Sequence, residues 1–339
     1  MRVHVVRFSS LGDCVLLCPL LAHLKRAGAR EVAVVTKRAY AELFANAEGV
    51  DRVLAIERGT TLVDLMRVAR SVRTSREADD VVIDAHAVAR SRVFCAVAGG
   101  ARARFRKYYG ARAGLIVFKK PATLPTMLEQ YSALAEGAGF GSVPLAPGGI
   151  RVPTAEMERA KARLGRALPA VAVAAGSRWR AKRWIGFATL CDSLVSSGRR
   201  VVLVGDARDR AITAPIAASL GSECVDAVGN STLMQSAALI AQCESFVGND
   251  SGLMHLAEAV GVPVVALFGP TVREFGYAPS LPTSTTIERR LACRPCSRNG
   301  AAPCPKRNYE CLERIAPEDV LRAVTELRSA HHARRLVVD

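Results

Sequence analysis

The chain has 339 residues, half of them hydrophobic and 23% charged, with 47 Lys+Arg against 31 Asp+Glu for a net charge of +16. The length suits about two domains, and this composition excludes a disordered chain, which would be poor in apolar residues. Apolar runs such as 262–268 fall far short of the ~20 residues of a spanning helix, and charges interrupt the opening Met1-Arg2-Val3-His4, so it reads as a first strand and not as a signal peptide.

The first half alternates strands and helices. Strands are expected at 3–8, 31–36, 53–56 and 80–84, and helices at 14–25, 39–47, 62–72 and 126–138, with Pro19 kinking or delimiting the first helix. Such a rhythm means a parallel sheet with helices on both faces. The Gly/Pro-rich stretch 139–153 is the best linker, which separates a domain 1–150 from a domain 151–339. The second half restarts the rhythm, with strands at 170–175, 200–204, 245–248 and 264–268. Its helices are expected at 155–164, 187–196, 208–220, 233–241, 253–260 and 317–330, the last a candidate to pack back on the first domain. In each half a ligand should lie at the carboxyl ends of the strands.

The charge excess favours acidic partners: nucleic acid, an anionic membrane surface or phosphorylated substrates. It is unevenly spread. Residues 85–128 hold nine Lys/Arg, among them Arg104, Arg106 and Lys107, and no Asp or Glu; residues 159–191 hold eight more, Arg166 among them, again with no acid. Each single Arg is equally a solvated surface residue, whereas the first run as a whole is a candidate anion-binding surface.

Three motifs carry chemistry. Arg7-Phe8-Ser9-Ser10-Leu11-Gly12-Asp13 ends the first strand and opens a helix, where small residues and free amides favour anions. It is not a dinucleotide fingerprint. Asp13 is either a first-turn acid that complements the helix dipole or a general base. Gly176-Ser177-Arg178-Trp179-Arg180-Ala181-Lys182-Arg183-Trp184 follows the first strand of the second half. There Ser177 offers a hydroxyl and Lys182 a point charge suited to phosphate, unless the loop is only basic and anchored by its tryptophans. In Val247-Gly248-Asn249-Asp250-Ser251-Gly252-Leu253-Met254-His255, a strand ends, Asp250 and Ser251 are expected to cap a helix, and Gly252 keeps its N-terminus open for a pyrophosphate. His255, one turn in, either reaches a ligand or satisfies a carbonyl.

With these motifs in this order, and Phe268-Gly269-Pro270-Thr271 after the third, the chain resembles glycosyltransferase family 9, the ADP-heptose:lipopolysaccharide heptosyltransferases. The resemblance implies a GT-B fold, with an N-terminal acceptor-binding and a C-terminal nucleotide-sugar-binding Rossmann-like domain across a cleft and no catalytic metal. It makes Asp13 the base that deprotonates the acceptor. On the donor side it implies Ser9, Ser10 and Gly12 around Asp13, then Ser177, Arg178, Lys182, Asp250, Ser251, Gly252 and His255. Arg104, Arg106 and Lys107 become candidates for binding a phosphorylated or acidic glycolipid acceptor. Such an enzyme is expected in the cytoplasm, in peripheral contact with the inner membrane, and without a nucleic-acid partner.

Ten cysteines without a signal peptide read as reduced cytosolic thiols. Cys293, Cys296, Cys304 and Cys311 cluster, and they are either a structural zinc site or free thiols; their spacing is not a zinc ribbon's. Two other readings stay open. One is a GT-B transferase or epimerase using another nucleotide-sugar. The other is a basic nucleic-acid-binding protein with a cysteine metal knuckle, which the absence of any reader motif disfavours.

Overall fold

The structure, a computed structural model, describes residues 1–120, 122–165 and 169–335. Arg166 of the second basic run lies outside the described residues. The elements in chain order are β1 (Arg2–Val6), α1 (Leu11–Arg26), β2 (Glu31–Lys37), α2 (Ala41–Ala45), β3 (Arg52–Ile56), α3 (Leu62–Ser75), β4 (Val81–Asp84), α4 (Ala89–Val97), β5 (Ala103–Arg104), α5 (Tyr109–Phe118) and α6 (Met127–Gly137). There follow α7 (Thr154–Leu164), β6 (Ala170–Ala174), α8 (Phe187–Ser196), β7 (Arg200–Leu203), α9 (Arg210–Leu220), β8 (Cys224–Asp226), α10 (Leu233–Ala241), β9 (Ser245–Asn249), α11 (Gly252–Ala259), β10 (Val264–Phe268), β11 (Thr285–Glu288), α12 (Glu310–Glu313) and α13 (Pro317–Arg335).

The chain forms two compact units. The first comprises Met1–Lys107 and Pro125–Arg151, and the second comprises Tyr108–Leu124 and the chain from Val152 onward. The first holds a parallel sheet in the order β3-β2-β1-β4-β5. The second holds a parallel sheet in the order β11-β10-β9-β6-β7-β8. Both are Rossmann-like. The order reverses between β1 and β4 in the first unit and between β6 and β9 in the second, which are the switch points where open α/β sheets bind ligands.

Helix α1 shows why the first unit is well anchored. Leu17, Leu20, Leu21 and Leu24 are fully buried, each contributing about 1.5–3 kcal/mol by leaving water. Pro19 does not delimit the helix, which runs through it. Pro19 lacks only the amide, and the chain at Gly149 approaches so closely there that a Cβ would sit 2.9 Å from the Cys18 carbonyl carbon. Gly149 has φ +74°, which a side chain would strain further.

One expected boundary is redrawn. Residues 108–124 pack in the second unit: Leu115 and Leu124 are buried with Val272 and Phe275, and the Leu124 amide bonds the Glu274 carbonyl. The last helix, through Leu327, packs on its own unit, where Val320, Val324 and Leu327 fill a core with Leu190, Leu194 and Val247. Elements α4, β5, α5, β8, β11 and α12 have no counterpart among the expected ones. Three of them are strands of two to four residues at or beside sheet edges, too short for a clear period.

Candidate active site

In the first unit the site grows from the ends of β1 and β4. Arg7, next after β1, is 4% exposed. One guanidinium nitrogen bonds the Ala85 carbonyl beyond β4 at 2.6 Å, and another meets the Asp13 carboxylate at 2.7 Å. Ser10 is the N-cap of α1, and its amide (3.1 Å) and hydroxyl (2.6 Å) both donate to that same carboxylate. The Tyr131 hydroxyl of α6 bonds the Asp13 carbonyl at 3.0 Å. A buried carboxylate at a helix N-terminus, fixed by a cation and two donors, keeps one orientation; that is what a positioned base requires. His86, edge-on to Phe8, is pushed down to about 3 by burial and by the charges of Arg7 and Lys107, so it is neutral at pH 7. The structure thus gathers Ser9, Ser10, Gly12 and Asp13 with Arg7, His86 and Tyr131 in this unit.

In the second unit the site grows from the ends of β6 and β9. Asn249 closes the switch point: its side-chain amide donates to the carbonyls of Ala175 and Gly176, both at 3.1 Å, and its oxygen accepts from the Trp184 amide at 3.1 Å. The Trp184 indole N–H bonds the Ile315 carbonyl at 3.0 Å and its ring packs edge-on against Phe187. The tryptophan therefore anchors the loop that carries Ser177 and Lys182. Ser177 is buried, with its carbonyl bonded by Arg183.

Lys182 reaches Asp250, with its ammonium 2.5 Å from Oδ2 and 3.1 Å from the carbonyl. The Thr271 hydroxyl donates to the same Oδ2 at 2.7 Å. Burial pushes the Asp250 carboxyl up, but Lys182, Thr271 and the nearby His255 more than offset this and hold it below its ordinary value. Asp250 leads into α11, whose first amides have no intrahelical acceptor and attract anions. Ser251 stands at the N-cap with extended backbone, yet its side chain makes no capping bond, and Asp250 is engaged by Lys182 and Thr271 instead of capping. The expected caps are thereby corrected, and the helix start is open at Ser251 and Gly252. His255 is buried beside Tyr277, their ring centroids 6.3 Å apart. Arg178 is exposed and stacks on Trp179.

The cysteine-rich stretch supports this second part. Gly300 lies on the Lys182 stem, so close that a Cβ would meet Lys182 Cγ at 2.6 Å. The Cys296 amide bonds the Pro270 carbonyl at 3.1 Å. The nearly buried Arg294 guanidinium bonds the carbonyls of Gly269 and Thr271 and pairs with Glu288 at 2.8 Å. The loop that carries Thr271 is thus clasped from behind. Cys293, Cys296, Cys304 and Cys311 lie close enough that their thiols act on one another, yet no three of their sulfurs come within 4.8 Å of each other. Among the described residues, the set of three His/Cys/Asp/Glu ligand atoms that gathers within 4.8 Å is Glu77, Asp79 and Asp80, not Cys293, Cys296, Cys304 and Cys311. Cations already meet that acidic set: Arg2 pairs with Asp80, Arg30 with Glu77, and the N-terminal amine with Asp79. Burial pushes the Cys296 thiol up and the Cys311 thiol to about 11, and the neighbouring cysteines of the cluster add to both.

Arg104 is engaged by the buried Asp84 at 3.3 Å, while Lys107 lies near enough to His86 to shift it; Arg106 is exposed. Sequence reasoning missed the roles of Arg7, His86, Tyr131, Asn249, Thr271 and Arg294. Arg7, Asn249 and Thr271 stand inside the quoted motifs, so their signal was present without a partner to give it meaning.

Comparison with known proteins gives one answer. The family described as glycosyltransferase family 9 (heptosyltransferase) matches residues 66–309. Lipopolysaccharide heptosyltransferase 2 of Escherichia coli K12 is 32% identical over 234 residues, 65% of this chain and 66% of that protein. Lipooligosaccharide heptosyltransferase 2 of Haemophilus influenzae is 40% identical over 117 residues, 33% of each chain. The matched stretches therefore span between one third and just under two thirds of these curated relatives. The solved structure of E. coli ADP-heptose lipopolysaccharide heptosyltransferase II superposes with TM-score 0.76 at 25% identity, covering 98% of this chain and 100% of that one. Its two parallel-sheet domains are those of the GT-B fold, and the chain belongs to glycosyltransferase family 9.

Proposed function

We propose that this protein is an inverting glycosyltransferase that moves a heptose from ADP-heptose to an acidic inner-core lipopolysaccharide acceptor. The observation that carries the reading is the Lys182–Asp250–Thr271 cluster at the open start of α11. It gathers a cation, open helix amides and a buried carboxylate, groups suited to a diphosphate and to sugar hydroxyls. The names of the similar proteins supply the sugar and the acceptor class.

In the proposed reaction the acceptor oxygen bonds to the anomeric carbon as the bond from that carbon to the diphosphate breaks. The electron pair leaves with ADP, and the acceptor proton passes to Asp13. Arg7 and Ser10 orient Asp13. Lys182 and the α11 amides take up charge on the departing diphosphate, which requires Lys182 to share or leave its contact with Asp250. Arg106 and Lys107 are the candidates for acceptor phosphates. An amphiphilic acceptor places the enzyme at the inner membrane face. No described helix is long and apolar enough to cross a membrane.

The test is a transfer assay with ADP-heptose and deacylated inner-core acceptors, with products read by mass spectrometry. A heptose-sized mass gain that is absent in Lys182→Ala supports the reading. Gain only with a different nucleotide-sugar overturns the heptosyl assignment.

A further inference from the structure

Surface helices ordinarily turn charged residues to water and apolar ones inward. Helix α5 does the reverse. Its one charged residue, Arg112, is tucked in, bonds the Phe275 carbonyl at 3.1 Å and lies over the Phe275 and Tyr277 rings. The exposed positions are Tyr109, Gly110, Ala111, Ala113, Val117 and Phe118, without a charge among them. Val117 is 66% and Phe118 70% exposed, which leaves apolar surface open to water at the end of the helix. Leu115, buried with Phe275, fixes the helix so that this face points outward.

Cations flank the apolar tip. Lys119 is tethered to the carbonyls of Cys293 and Pro295, and the Lys120 ammonium lies 6.0 Å from the Phe118 ring centre. Arg298 stands over the Tyr109 ring at 5.4 Å. The segment 108–124 that contains α5 has three basic residues, Arg112, Lys119 and Lys120, and no acid. An apolar protein partner would not ask for such a ring of one sign, and a nucleic acid would not ask for exposed Val117. A short apolar helix face with basic flanks matches the headgroup–acyl boundary of an anionic bilayer.

We propose that α5 and its basic flanks are a membrane-docking face, with Val117 and Phe118 entering the headgroup–acyl boundary of an anionic lipid surface while Lys119 and Lys120 meet its headgroups. This deepens the membrane contact given under the proposed function. Its test uses neither donor nor acceptor, so the two readings fail separately.

The experiment is cosedimentation of the full chain with vesicles of phosphatidylethanolamine and phosphatidylglycerol, and with vesicles of phosphatidylcholine alone. Wild type binds the first in a salt-sensitive manner and the second weakly. The double variant Val117→Asp/Phe118→Asp loses binding by about tenfold or more, and Lys120→Glu by about tenfold. Val63→Asp, at the exposed apolar start of α3, leaves binding unchanged. All these positions are exposed, so unchanged thermal melting confirms that the variants fold. The proposal is overturned if wild type does not bind, if it binds both vesicles equally, or if the double variant binds like wild type. It is also overturned if the double variant instead abolishes a dimer seen by gel filtration, which would assign the face to a second copy.

Discussion

Replacing Thr271 with Val keeps the branched shape and removes one hydroxyl. That hydroxyl is 2.7 Å from the Asp250 carboxylate, and Thr271 is 3% exposed. A hydrogen bond to a charged group contributes about 1.5–3 kcal/mol. At roughly 2–4 °C per kcal/mol for a domain of this size, the melting temperature should fall by about 3–12 °C. The pH dependence sharpens the test. Asp250 sits below its ordinary value of 3.8 in the fold. Its contribution is therefore present above that value and lost as pH falls through the lower folded one. The gap between wild type and Thr271→Val should be widest near pH 7 and close below pH 3.8, while Thr271→Ser should restore most of the loss. Differential scanning calorimetry over pH reads all three. A Thr271→Val melting temperature within a degree of wild type at pH 7, or a gap that does not narrow in acid, would refute the role given to this hydroxyl.

Asp13→Asn should lower the rate of transfer by about 100- to 10,000-fold with the fold retained; activity within a few-fold of wild type would remove Asp13 as the base. Gly300→Ala puts a methyl group 2.6 Å from Lys182 Cγ at a residue with φ +83°, and should weaken ADP binding about tenfold, as isothermal calorimetry would show. His4, buried in β1, is pushed down to about 4 by desolvation. Its stabilising effect is complete above pH 6.5 and falls by about 1.4 kcal/mol per pH unit from there toward about pH 4, because the unfolded chain binds the proton first. His4→Val should flatten that part of the melting profile.

The strand ends that carry the site were legible because each is an apolar run stopped by small or capping residues: Ala175-Gly176-Ser177 after β6 and Asp250-Ser251-Gly252 after β9. The residues that hold the site in place were not. Asp13 is held by Arg7 and, through its carbonyl, by Tyr131, which is 118 residues away; Asp250 is held by Thr271, 21 residues on. Periodicity reports which face of an element is buried and says nothing of which distant donor meets a given oxygen. Helix α5 was hidden for another physical reason. With Arg112 inside and Val117 and Phe118 outside, its pattern contradicts the rule by which a surface helix is recognised. The cysteine cluster left two readings open in the sequence, and what no spacing could show is that the fold uses its backbone, Gly300 and Arg294 to brace Lys182 and Thr271.

The central claim is that Lys182, Asp250 and the start of α11 bind an ADP-sugar without a metal. Calorimetric titration of the purified chain with ADP and with UDP, in EDTA, tests it most directly. The account predicts saturable ADP binding that is lost in Lys182→Ala. Binding of UDP in preference to ADP, or ADP binding unchanged in Lys182→Ala, would contradict it.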